Sequence, residues 1–158
     1  MPISFRRKMP PLTEAELKLV EERLGRALPG DYADFLRANN GAVPESNCFP
    51  IPGPAQKGGI VEFFSAGTVL EEAKREDCWD ARVVIPIASA ECGNRLLLAL
   101  DGGEVYFWDH EFEGAEALTR VAQSFRAFME ALEPFDASQV TLDPDDIISA
   151  WIDPDLLK

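Results

Sequence analysis

Histidine is almost absent from this sequence: His110 stands alone in 158 residues. A metal centre built on paired histidines is thereby excluded. Cysteine is scarce as well. Cys48, Cys78 and Cys92 are odd in number and show no paired spacing, so a secreted disulfide framework does not fit. No long apolar run follows Arg6, Arg7 and Lys8, and Pro10 and Pro11 interrupt the stretch. It reads as neither a signal peptide nor a membrane span, and the expected location is the cytoplasm. Positive charge is in deficit: 15 bases face 28 acids, a formal net charge of −13. Phosphate binding needs a positive field, so neither direct nucleic-acid binding nor docking on anionic lipid is expected.

What is present suits one soluble globular domain, with 46% hydrophobic and 27% charged residues. A chain of this length buries roughly two thirds of its unfolded surface, without disulfides or metal. The charge is uneven. Residues 1–100 hold 14 acids and 12 bases, a net of −2, whereas residues 101–158 hold 14 acids and 3 bases, a net of −11. Acidity confined to one part of the chain points to a partner more than to general solubility.

The clearest local signal is Thr13-Glu14-Ala15-Glu16, a capping box, with Leu12 and Leu17 spaced as a hydrophobic staple around it. Leu17, Val20 and Leu24 continue at helical spacing, and Gly25 ends the helix. Pro29 in a first turn opens a second helix, with Tyr32, Phe35 and Leu36 on its apolar face and Asn39-Asn40-Gly41 at its end. Four prolines and three glycines in residues 42–59 predict a long irregular loop. Residues 60–64 predict a strand, and Thr68 to Asp77 a short polar helix or turn near Trp79. Arg82 to Ala88 is β-branched, but Pro86 cannot donate to a ladder and marks an edge or a bulge. After the turn Glu91-Cys92-Gly93-Asn94, Arg95 to Leu100 predicts a strand buried on both faces. Asp101-Gly102-Gly103 turns into the strand Glu104–Asp109. Ser124 caps a last helix whose stripe is Phe125, Phe128, Met129 and Leu132. Two helices, several strands and a closing helix make an α+β domain with a mainly antiparallel sheet. Beyond Phe135, the two Asp-Pro-Asp units at Asp143 and Asp153 suit helix amino termini.

These motifs, taken in order, resemble the SUKH superfamily in its cell-wall-assembly-regulator branch. The residues that carry the likeness are the capped helix, Leu28-Pro29-Gly30-Asp31-Tyr32-Ala33-Asp34-Phe35-Leu36 and Asn39-Asn40-Gly41. They continue through Ile85-Pro86-Ile87-Ala88, Glu91-Cys92-Gly93-Asn94, the run Asp101 to Glu111, and Ala122-Gln123-Ser124-Phe125. The resemblance implies a curved, mostly antiparallel sheet with two amino-terminal helices and a helix after the sheet. It divides the chain into an extension over residues 1–11, a SUKH-like domain over 12–134 and an acidic tail with short helical turns over 135–158. It also implies a role. Bacterial members neutralise a cognate toxin of a polymorphic toxin system, whereas eukaryotic members are non-catalytic regulators and interaction hubs.

No constellation of residues supports catalysis. On a strand, Trp108 and His110 share one face and Asp109 and Glu111 the other, so His110 is expected not to face its sequence neighbours. Cys92 lacks an evident base, and Gly102-Gly103 lacks the Lys and Ser/Thr of a phosphate loop. No cofactor and no metal ligand set is expected. The group Asp109, Glu111, Glu113 and Glu116 reads either as a solvated loop or as a negative patch for a basic toxin surface. His110 joins it as a candidate contact. Trp79 and Trp151 are further candidates, since Trp is enriched among interface hot spots, and each equally suits a core. The expected function is that of a non-enzymatic immunity protein binding a protein toxin, the alternative being a regulatory or scaffold module without one.

Overall fold

The computed structural model describes residues 3–53 and 56–139. A short strand β1 (Phe5–Arg7) precedes helices α1 (Glu14–Leu24) and α2 (Gly30–Ala38). Strands β2 (Val43–Pro44), β3 (Cys48–Ile51) and β4 (Gln56–Phe63) lead to helix α3 (Ala66–Ala73). Then come β5 (Val84–Ala90), β6 (Arg95–Ala99), β7 (Val105–Trp108), β8 (Leu118–Ala122) and helix α4 (Phe125–Glu130). Strands β3 to β8 form one antiparallel sheet in chain order, and β1 pairs with β2 apart from it. The sheet curls until β8 lies against β3, nearly closing a barrel. This is the expected α+β architecture, a mainly antiparallel curved sheet in a single domain.

The caps form as the sequence specifies. Thr13 Oγ1 accepts from the Glu16 amide at 3.2 Å while the Glu16 carboxylate accepts from the Thr13 amide at 2.7 Å. Gly25 closes α1 at φ 72°, which costs glycine no side-chain clash. Ser124 caps α4 through the Ala127 amide, which turns Phe125 and Phe128 into the core. There Phe125 meets Tyr32 edge-on at 5.2 Å and Phe128 meets Phe49 at 5.4 Å. Asn40 does more than end a helix. Its side chain donates to the Pro10 carbonyl and accepts from the Ala66 amide, tying the approach to α1 and the start of α3 to the end of α2.

Three expectations need correction. Residues 42–59 are not an irregular loop, because they hold β2, β3 and the first residues of β4. Proline and glycine misdirect here for a local reason. Pro50 sits exposed on β3, which pairs with β4 alone in the sheet, and Gly58 leaves room for the Phe49 ring, which a Cβ would meet at 2.4 Å. The second correction is to the bounds and polarity of the short helix or turn expected over Thr68 to Asp77. It is a helix, α3, but it starts at Ala66, ends at Ala73 and is not polar throughout, because Val69 is fully buried; Ser65 caps it. Third, β7 ends at Trp108, so Asp109 and His110 lie outside the strand. Pro86 is resolved between its two readings: it stands in central β5 at a register shift between Pro86 and Ala88, a bulge and not an edge.

Candidate functional site

The acidic group is carried by the connection from β7 to β8. The β6–β7 hairpin turns at Asp101-Gly102-Gly103, with Gly103 at φ 79°. Val105 and Phe107 pack towards the helices. Their alternates Tyr106 and Trp108 take the other face, since successive strand residues point to opposite sides. The chain then leaves the sheet and returns. The Asp109 amide donates to the Ala117 carbonyl at 2.9 Å, which closes the excursion at its base. The Asp109 carboxylate accepts from the Glu111 amide at 3.0 Å, and Ala117 is buried beneath. Glu111, Glu113 and Glu116 project from this closed loop, and among the described residues no ion pair engages them.

His110 is held by a residue that sequence reading passed over. Asn94 is buried, and its Oδ1 accepts from the His110 backbone amide at 3.1 Å and from Nδ1 at 2.7 Å. The imidazole lies beside Gly93, where a Cβ would stand 3.6 Å from the ring. His110 thus stands next to the Glu91–Asn94 turn, whose Cys92 is exposed and adopts φ 61°. That turn is itself braced. Arg95 donates to the carbonyls of Gly93 and Asn94 at 3.1 and 3.0 Å, and its Nε donates to the Glu72 carboxylate on α3 at 3.0 Å. Both ends of this ion pair are largely shielded from solvent, at 19% and 20% exposure, so it is held more firmly than surface pairs are.

Trp79 underlies the same region. It is buried at 6% exposure, donates from Nε1 to the Glu72 carbonyl at 3.0 Å, and meets Trp108 edge-on at 5.3 Å. Trp108 in turn lies 6.5 Å from the His110 ring. The fold therefore brings Trp79, His110 and Asp109 to one end of the sheet, with Glu111, Glu113 and Glu116 on the loop that projects there. Trp151 lies outside the described residues. Asn94, Arg95 and Glu72 complete the arrangement, and a signal for the first was present. Counting outward along the hairpin from Leu98↔Val105 reaches Arg95↔Trp108, which brings Asn94 beside Asp109.

Among the described residues no three His, Cys, Asp or Glu side chains gather where they could hold a metal ion. Burial pushes the Cys48 thiol above its ordinary range, with the nearby Glu91 carboxylate adding to the shift, so that thiol is a poor nucleophile. No helix of the described residues is long and apolar enough to cross a membrane.

Residues 11–131 match the SMI1/KNR4 family (SUKH-1). The chain belongs to this family. The SUKH-1 match spans α1 through α4 and includes every residue from Glu72 to Glu116 described above. SUKH-1 proteins are not typically enzymes, and the wider SUKH family is known for immunity-type proteins. A SUKH-1 relative, the SPbeta prophage-derived uncharacterized protein YokK of Bacillus subtilis (strain 168), is 30% identical. The comparison covers 80% of this chain and 79% of the relative.

Proposed function

We propose that this SUKH-1 protein is a non-enzymatic immunity protein that acts in the cytoplasm by binding a cognate protein toxin with a basic surface. The observation that carries this reading is the braced acidic loop. Among the described residues Glu111, Glu113 and Glu116 stand together without ion-pair partners, on a backbone held by the Asp109–Ala117 and Asn94–His110 hydrogen bonds. Like charges crowded on an ordered loop oppose folding mildly and gain when a cation meets them. Toxins that act on nucleic acid carry positive clefts, and an acidic inhibitor suits such a cleft in both charge and approach rate. Family membership supports the same reading. The test is co-expression with a toxin domain encoded by an adjoining gene. Restored growth is the expected outcome. Continued arrest, with both proteins soluble and abundant, would leave the regulatory role as the better account for that pair.

A further inference from the structure

We propose that the outer face of β7 and β8, with the loop that joins them, is the surface on which a basic protein partner docks. This rests on the immunity reading and names the surface that serves it. Pairing of Trp108 with Leu118 and of Tyr106 with Arg120 puts these four side chains on the face opposite the helical core. Over β5 and β6 the same face is closed, with Pro86 and Leu97 paired and buried. Trp79 covers one edge of Trp108. Over β8 nothing in the described residues covers it. Leu118 is 39% exposed, Phe112 in the loop is 52% exposed, and Tyr106 and Trp108 are half-buried. The edge of β8 lies against β3, so what stands open is its outer face, and adjoining exposed apolar side chains are what a protein ordinarily shields or uses.

The surroundings choose the occupant. Asp109, Glu111, Glu113 and Glu116 border the apolar strip, and Arg120 is the one base between residues 101 and 125. An apolar centre with a charged border is the anatomy of a protein interface. The sign of that border calls for a partner with lysines or arginines around an apolar contact. A second copy of this chain would set the same acids against each other, and a nucleic acid would be repelled.

The experiment measures affinity for the adjoining toxin domain by calorimetry, with three variants. Leu118→Lys and Phe112→Ala should each weaken binding by about tenfold or more while thermal unfolding stays as in wild type. Leu19→Lys, an exposed site on α1, should bind as wild type does. If the wild-type protein protects cells but both β8-side variants bind the toxin unchanged, this surface is wrong and the immunity reading survives. If wild-type protein does not bind the toxin domain at all, the immunity reading falls and this inference with it. Sedimentation of the protein alone adds a last outcome. A dimer that Leu118→Lys splits would give the face to a second copy and overturn the assignment.

Discussion

Asn94 Oδ1 accepts two hydrogen bonds from His110, one from the backbone amide at 3.1 Å and one from Nδ1 at 2.7 Å, across sixteen residues of sequence. A backbone N–H can only donate, which fixes the oxygen end of the Asn94 amide towards His110. Nδ1 therefore carries its hydrogen in the neutral ring. Nitrogen chemical shifts of His110 should report the Nδ1–H tautomer. Asn94→Ala should cost about 1–3 kcal/mol by denaturant unfolding, because the His110 donors lose their buried acceptor. Hydrogen exchange at the His110 amide should quicken in that variant. Unchanged exchange would mean that Asn94 does not hold the loop.

Phe128 is fully buried on α4 and packs against Phe49 of β3, so it joins the last helix to the first strand of the main sheet. Phe128→Ala should destabilise the protein by about 3–5 kcal/mol, the usual result of leaving a cavity where a large ring stood. Unfolding curves monitored by circular dichroism would show it. A melting temperature equal to wild type would remove this residue from the core.

Tyr32 carries the opposite expectation. Its ring is buried against Phe125, yet among the described residues its hydroxyl has no hydrogen-bond partner. Removing an unsatisfied hydroxyl and keeping the ring is nearly neutral or stabilising, so Tyr32→Phe should lie within about 1 kcal/mol of wild type or above it. Burial raises the phenol far beyond its ordinary value. A pKa raised in the folded state gives stability that is present below the unfolded pKa, about 10, and is lost as pH climbs above it. The alkaline loss of stability should be shallower in Tyr32→Phe. An equal slope in both proteins would contradict the burial of this hydroxyl.

Charge on the loop should appear in association kinetics. Reversing Glu111 and Glu113 to Lys should slow binding of the toxin domain several-fold at low salt, with a smaller change in dissociation. The difference should shrink as ionic strength rises, since the Debye length falls from about 30 Å at 0.01 M to about 10 Å at 0.1 M. Stopped-flow association across a salt series measures this. A wild-type rate independent of salt and equal to that of the double variant would make the loop ordinary solvated surface.

Elements whose cause is local were legible in the sequence. The Thr13 capping box, the Gly25 terminus, the buried Leu96-Leu97-Leu98 strand, the Gly102-Gly103 turn and the Ser124 cap with Phe125 and Phe128 turned inward all formed as read, while Leu132 lies just past the end of α4. In each, the deciding interactions lie within a turn or two of chain, so residue type and spacing are sufficient. Strands β2 and β3 were not legible, because their prolines and glycines are tolerated by what lies across the sheet: an exposed edge for Pro50, and the Phe49 ring over Gly58. The acids at Asp109, Glu111, Glu113 and Glu116 could be found by counting charge. That they ride on a closed and braced loop depends on Asn94, Arg95 and Glu72. Tertiary structure alone decided that, because hydrogen bonds and ion pairs between residues sixteen or more apart exist only once the hairpin and α3 have packed together.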